Sequence, residues 1–149
     1  HELYILEKLK RIDTKYFIRL YYYFDDDTYK YLVTTLWEGG NLLEYLRRRK
    51  WLEEDLWKYF FTHIVKATKF LHEHKIVHRD LKPENVLICK DGKIKLWDFG
   101  VSKVIKGNPN IKETAGTPAY MALEVLYKKS YNAYSADIYS LGILLFTLL

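Results

Sequence analysis

Between residues 53 and 100 the chain changes its hydrophobic period twice, and that succession limits the folds open to it. Leu56, Phe60, Ile64, Ala67 and Leu71 recur at three- and four-residue steps, so 53–74 is predicted as one long helix with a single apolar face. A loop over 77–85, dense in charged and polar side chains, follows it. The period then falls to two. Ile94 and Leu96 alternate with Lys93 and Lys95 behind the turn pair Asp91-Gly92, the pattern of a half-buried hairpin. A long helix feeding a polar loop and a tight hairpin excludes an all-helical bundle and an all-strand barrel.

The flanks extend the pattern. Leu3, Leu6 and Leu9 place a short helix over 1–10. Two strand-like runs, 17–24 and 29–36, meet at the acidic turn Asp25-Asp26-Asp27-Thr28. Gly39-Gly40 breaks the chain before a helix over 42–50. The stretch 98–122 reads as irregular, then come a helix around 123–126 and an apolar helix from about Ser135. The expected class is α+β, strands first and mostly helix after.

Composition narrows the function classes. With 49% apolar and 29% charged residues, 14 Tyr and 4 Trp, the 149 residues suit one globular domain rather than a disordered tail. The net charge of +5 is compatible with nucleic acid, an anionic membrane or phosphate ligands. The basic residues are scattered, however. Their one cluster, Arg47-Arg48-Arg49-Lys50, falls where a helix ends and complements its dipole, so nucleic acid is not the expected partner. Residues 138–149 carry no charge but are too few to span a bilayer. Cys89 is alone in an apolar run, which excludes an internal disulfide, suits a reducing intracellular setting and points to a buried thiol. The expected location is the cytoplasm, with the nucleus also open. The chain opens on His1 and its single methionine is Met121, so it is expected to be a piece of a longer protein.

Four ordered runs carry the chemistry: HRDLKPEN at 78–85, DFG at 98–100, GTPAYMALE at 116–124 and DIYSLG at 137–142. In order, spacing and context they resemble the signature set of eukaryotic Ser/Thr protein kinases, and the resemblance covers nearly the whole chain. It implies a kinase-like fold cut short, with 1–37 the remnant of the small lobe and hinge and 38–149 part of the large lobe. It implies ATP and Mg²⁺ as cofactors, and protein substrates with Ser or Thr acceptors. Asp80 would orient the acceptor hydroxyl, Lys82 would reach the transferring phosphate, and Asn85 and Asp98 would hold Mg²⁺ through hard oxygens. Thr34, Thr35, Leu36 and Trp37 would form the hinge around the adenine, with Leu87 beneath the base; Glu2 and Glu84 would face the nucleotide. The Trp37 side chain could instead serve hinge packing alone. Leu6, Leu20, His78 and Phe99 would form an apolar stack anchored by Asp137.

Within the family, DFGVSK, ETAGTPAYM and KIVHRDLKPENVLI look most like the calcium/calmodulin-dependent group, its kinase-kinase branch in particular. An upstream kinase or a calcium/calmodulin-type regulator outside this chain is therefore an expected partner. Several features depart from the pattern. The glycine-rich lid and the lysine expected to pair with Glu2 would lie before residue 1, and the arginine expected for Glu124 after Leu149. Alone, the chain is thus expected to be a poor enzyme. Leu123 stands where the family has Pro, Trp97 is larger than the usual residue before the DFG aspartate, and the usual phosphosite position holds Glu113, beside Thr114. Either Glu113 partly replaces a phosphate opposite Arg79, or Thr114 is the modified residue. The alternative to an active kinase is an inactive kinase-like fragment that only binds proteins; retention of Asp80, Lys82, Asn85 and Asp98 favours the enzyme.

Overall fold

In the computed structural model, which describes residues 2–12, 15–49, 51–127 and 129–149, the hairpin after the charged loop is the element around which the others gather. Its strands, β4 (Val86–Ile88) and β5 (Ile94–Leu96), pair antiparallel with Val86 opposite Leu96 and Ile88 opposite Ile94. Gly92 turns the chain at φ 79°, where a side chain would strain the backbone. Residues on both sides extend the pairing. Leu96 N–H donates to Tyr16 O at 2.8 Å, Ile18 N–H donates to Leu96 O at 3.3 Å, and on the far edge Ile88 N–H donates to Gly40 O at 3.1 Å.

Those flanking segments tie in the amino-terminal elements. Helix α1 (Glu2–Ile12) buries Ile5, Leu6 and Leu9, with Lys10 and Arg11 in its last turn opposing the dipole. Strands β1 (Leu20–Asp25) and β2 (Lys30–Thr34) form a two-stranded antiparallel ribbon. Its turn is set by Asp26, whose Oδ1 accepts the N–H groups of Thr28 and Tyr29 at 2.8 and 2.6 Å. The ribbon is close to the predicted runs, but both of its faces are open to solvent, as the exposure of the successive residues Tyr22, Tyr23 and Phe24 shows. Helix α2 (Leu42–Arg47) starts in a capping box between Asn41 and Glu44. The Arg47–Arg49 end is exposed as expected, with the Arg49 guanidinium 4.6 Å from the Tyr45 ring; Lys50 lies outside the described residues.

Helix α3 (Glu54–Glu73) matches its prediction within a residue at each end. Its buried Phe60, Ile64, Ala67 and Leu71 pack in one core with Leu42, Leu96 and Leu144, each large side chain contributing about 1.5–3 kcal/mol relative to exposure. The stretch 98–122 is less irregular than predicted. Two short strands interrupt it, β6 (Lys103–Val104) against β3 (Ile76–Val77) and β7 (Asn110–Ile111) against β8 (Tyr131–Asn132). Helix α4 (Leu123–Leu126) follows Ala122, so Leu123 occupies the first helical position, where a proline would also fit. Helix α5 (Ala133–Leu148) begins two residues before the predicted start, because the Asn132 side chain caps it by accepting from Tyr134 and Ser135 N–H.

Gly39 shows how closely the segment before α2 lies against β4. A Cβ there would overlap the carbonyl oxygen of Ile88. Gly39→Ala should therefore force backbone apart and cost about 1–3 kcal/mol, read as a lowered thermal midpoint; an unchanged midpoint would mean the two segments are not held in register.

Candidate active site

The loop between β3 and β4 is short of regular structure, so its shape depends on side chains, and Asp137 supplies most of the hold. This carboxylate, at 0% exposure in the first turns of α5, accepts His78 N–H at 2.9 Å through Oδ2 and Arg79 N–H at 2.8 Å through Oδ1. Oδ2 also meets His72 Nε2 of α3 at 2.8 Å. One buried side chain thus joins the two long helices to the loop. Arg79 is held at φ 66°, a region that side chains avoid, and its Nε donates to Val101 O at 2.6 Å.

His78 is fully buried and bonded at both ring nitrogens. Nε2 lies 3.1 Å from Trp97 O, which can only accept, so that nitrogen carries the proton. Nδ1 then accepts Asp80 N–H at 3.3 Å. Burial holds the imidazole pKa below its ordinary value against the pull of nearby Asp137, so His78 is a neutral strut rather than a base. Its ring is 5.3 Å from that of Phe99, and Leu6, Leu20, His78 and Phe99 are all buried.

Asp80 is 8% exposed. Its Oδ2 takes Lys82 Nζ at 2.9 Å and Asn85 Nδ2 at 3.0 Å. Burial pushes its carboxyl up, but the Lys82 ammonium and the Thr117 hydroxyl outweigh that and hold it below the usual carboxylate range. Asp80 is therefore ionised at neutral pH. Its Oδ1 is buried and meets no hydrogen-bond partner. An unpaired buried carboxylate oxygen costs about 1–3 kcal/mol or more, a debt that an incoming hydroxyl donor would cancel.

The metal-binding candidates fit a hard cation. Asn85 gives Nδ2 protons to Asp80 O at 2.9 Å and Asp80 Oδ2, so its Oδ1 is the atom it presents elsewhere. Asp98 sits at φ 60°, and its Oδ1 accepts Gly100 N–H at 3.2 Å. Among the described residues no group of three or more His, Cys, Asp or Glu could cage a metal. Mg²⁺ needs no such cage, since it is commonly held by one or two protein oxygens together with substrate phosphates.

A cavity of about 560 Å³ lies beside this loop, lined by Ile18, Leu32, Val33, Thr34, Thr35, Leu36, Trp37, Leu87 and Trp97. It brings together the predicted Thr34, Thr35, Leu36, Trp37 and Leu87, while Asp80, Lys82, Glu84, Asn85 and Asp98 are not among its lining. Thr35 N–H is bonded to Arg19 O at 3.0 Å, so its carbonyl is what remains for a ligand. Trp37 is among the lining residues of the cavity, and its Nε1 donates to Gly40 O at 3.0 Å, the packing role considered for it. Glu2 lies instead beside a separate hollow of about 480 Å³ between α1 and the ribbon. Burial and the Asp98 carboxylate push the Glu2 pKa up, and Phe99 N–H partly offsets them.

Three placements were not foreseen. Thr117 accepts Lys82 Nζ at 2.6 Å, a contact across 35 residues whose only signal was the Gly116-Thr117-Pro118 run. The Glu113 carboxylate pairs with Lys103, not Arg79, and this pair holds its pKa down, with Arg79 a smaller influence. Cys89 is half-buried rather than in the core, and burial raises its thiol pKa, which keeps it protonated and inert. Thr114 donates to Val125 O at 3.2 Å.

A buried acid anchoring a loop that holds Asp80, Lys82 and Asn85, with Asp98 at the end of the adjoining hairpin, is the arrangement of one enzyme class. The chain belongs to the protein kinase domain family, whose family model matches residues 1–149. It is similar to the SNF-related serine/threonine-protein kinase of Homo sapiens, 39% identical over 142 residues, 94% of this chain and 19% of that protein. It also resembles CBL-interacting protein kinase 30 of Oryza sativa subsp. japonica, 36% identical over 147 residues (97% of this chain, 31% of that protein). The maternal embryonic leucine zipper kinase of Danio rerio is 36% identical over 146 residues (97% and 22%). The chain thus spans 19% to 31% of the length of these relatives. Its fold is the α+β kinase-like fold, and no described helix is long and apolar enough to cross a membrane.

If Asp137 shapes the loop, Asp137→Ala should leave the buried N–H groups of His78 and Arg79 unpaired and cost about 2–6 kcal/mol, two unmet donors at 1–3 each. Chemical denaturation would measure this. A loss below about 1 kcal/mol would place the loop's anchor elsewhere.

Proposed function

We propose that the chain is the central part of an ATP-dependent protein kinase that phosphorylates Ser and Thr hydroxyls of protein substrates. The observation that carries this is the Asp80 carboxylate, ionised, held on one oxygen by Lys82 and Asn85, and unpartnered on the other. In this reading Asp80 Oδ1 would accept the hydrogen bond of the substrate hydroxyl, orient its oxygen toward the γ-phosphorus and take the proton as the new O–P bond forms and the bond from that phosphorus to the β,γ-bridging oxygen breaks, with ADP leaving. Lys82, bridging Asp80 and Thr117, offers its charge to the transferring phosphoryl group. Asn85 Oδ1 and Asp98 would hold Mg²⁺, which supplies charge neutralisation at the phosphate oxygens. The 560 Å³ cavity takes the base, with Thr34 to Trp37 at its edge and Leu87 beneath; Glu84 and Glu2 face the nucleotide from outside that lining.

The same reading assigns 1–37 to the small lobe and hinge and 38–149 to the large lobe. It places the protein in the cytoplasm or nucleus, and the runs DFGVSK and ETAGTPAYM favour the calcium/calmodulin-dependent group. A regulator of that type, or an upstream kinase, would act from outside this chain. The inactive-fragment alternative is weakened by the Asp80 network, which a purely protein-binding module would not need.

In the full-length parent, Asp80→Asn should slow turnover by roughly 10²–10⁴-fold, and Asp98→Asn should weaken Mg²⁺-nucleotide binding as well. Near-normal phosphorylation by both variants would sink the assignment.

Control of the site follows from Glu113. Glu113 is ion-paired with Lys103 and only a weaker electrostatic neighbour of Arg79, so in this reading it would stand in for only part of the −1.5 to −2 or so of a phosphate. In phosphatase-treated parent, Glu113→Ala should lower basal activity several-fold and Thr114→Ala should leave most of it. The opposite ordering would make Thr114 the control point.

A further inference from the structure

The Glu113 carboxylate pairs with Lys103, but its main-chain carbonyl takes a different partner: Tyr131 OH donates to it at 2.7 Å, across 18 residues. The Tyr131 ring is 4% exposed and packs in a core with Val77, Ile111, Met121 and Val125. Its oxygen also meets Arg79. Burial pushes the phenol pKa up, and the charge and hydrogen bond of Arg79 offset only part of this, so the group keeps its proton at neutral pH. The main chain of the same residue is tied as well. Strand β8 pairs with β7, Tyr131 opposite Ile111, and Ala133 N–H donates to Pro109 O at 3.0 Å. Residues 109–111 are thus laced to 131–133, and the phenol carries that hold two residues further, to 113.

We infer that Tyr131 is a positioning residue, whose hydroxyl joins the carbonyl of Glu113 to the guanidinium of Arg79 and so fixes the 113–116 segment against the 78–85 loop. The inference rests on the kinase reading, and it adds a hold on the site that does not use the Glu113 side chain. From residue 113 the chain has three residues to run to Gly116, which lies so close to Arg79 O that a Cβ would not fit. The next residue, Thr117, accepts Lys82 Nζ, and Lys82 pairs with Asp80. A segment loose at 113 would let Thr117 drift and change where Lys82 stands beside Asp80. The hydroxyl suits this task because it donates to a carbonyl and accepts from a guanidinium at once. Phenylalanine would keep the packing and lose both bonds.

The test uses the phosphatase-treated, full-length parent with Tyr131→Phe, alone and combined with Glu113→Ala. Hydrogen exchange is followed on the peptide covering 111–117, alongside steady-state transfer to a Ser-containing peptide. Tyr131→Phe should speed exchange of 111–117 roughly three- to tenfold, the scale of one lost hydrogen bond, and lower kcat by a similar factor. The KM for ATP should stay at the wild-type value, because the cavity beside 34–37 is not touched. Since the tie uses the Glu113 main chain, adding Tyr131→Phe to Glu113→Ala should lower kcat by the same factor again. Unchanged exchange in Tyr131→Phe would overturn the tie, and unchanged kcat with faster exchange would overturn the positioning role. Faster exchange throughout the protein, with a lowered thermal midpoint and a raised KM for ATP, would reduce Tyr131 to core packing. A double variant no slower than Glu113→Ala would route the coupling through the side chain and refute the inference. If the wild-type parent transfers no phosphoryl group, the kinase reading falls and the positioning role with it, while the exchange rates still decide the tie.

Discussion

The structure turns on one buried carboxylate. Asp137 is wholly buried, and three donors converge on its two oxygens. Two of them are backbone N–H groups of consecutive residues, and Arg79 at φ 66° could not keep that conformation without them. The chain needs this because the loop after β3 has few backbone partners of its own. Once His78 is fixed, its neutral ring fixes Trp97 through one nitrogen and Asp80 through the other. The order of dependence runs from a core acid to a loop, and from the loop to Asp80.

The hairpin converts that local order into a site. Asn85 precedes β4 and Asp98 follows β5, so antiparallel pairing brings together residues that sequence separates. Its register is protected on both edges, by 16–18 on one and 39–41 on the other. Gly39 permits the second approach, and Gly116 permits another: at φ 114° it brings the Gly116-Thr117-Pro118 run against Arg79 O, where a Cβ would not fit. Close approach of three segments leaves Lys82 in reach of both Asp80 and Thr117.

Much of this was legible in the sequence, for identifiable reasons. Helix α3 and the hairpin announce themselves through their periods, and both were located to within a residue or two. The charged loop was read through its resemblance to a family, and its side chains do converge. What sequence did not disclose were contacts between distant segments. Strands β6 and β7 are two residues each, too short for any period, and their partners lie 26 and 20 or more residues away. One of the two readings set Glu113 opposite Arg79, but Arg79 is bonded to Val101 O, and Lys103 on the newly found β6 is the cation that Glu113 pairs with. Missing the strand meant missing the partner. Cys89 sits in an apolar run, but it is the last residue before the hairpin turn, where alternation carries it toward the surface.

Charge balance gives the site its last constraint. Asp80, Asp98 and Glu2 gather around the loop and hairpin, and the Glu2 pKa is raised partly because Asp98 is near. The Lys82 ammonium is bonded to Asp80 Oδ2 and Thr117 Oγ1. Asp80 therefore has its counter-charge, whereas Glu2 and Asp98 face each other as like charges. A polyphosphate entering such a site would add negative charge to negative charge, at several kcal/mol for close approach in a partly dry cleft. The field around Glu2 and Asp98 is therefore negative, and a cation at the Asp98 end would offset it.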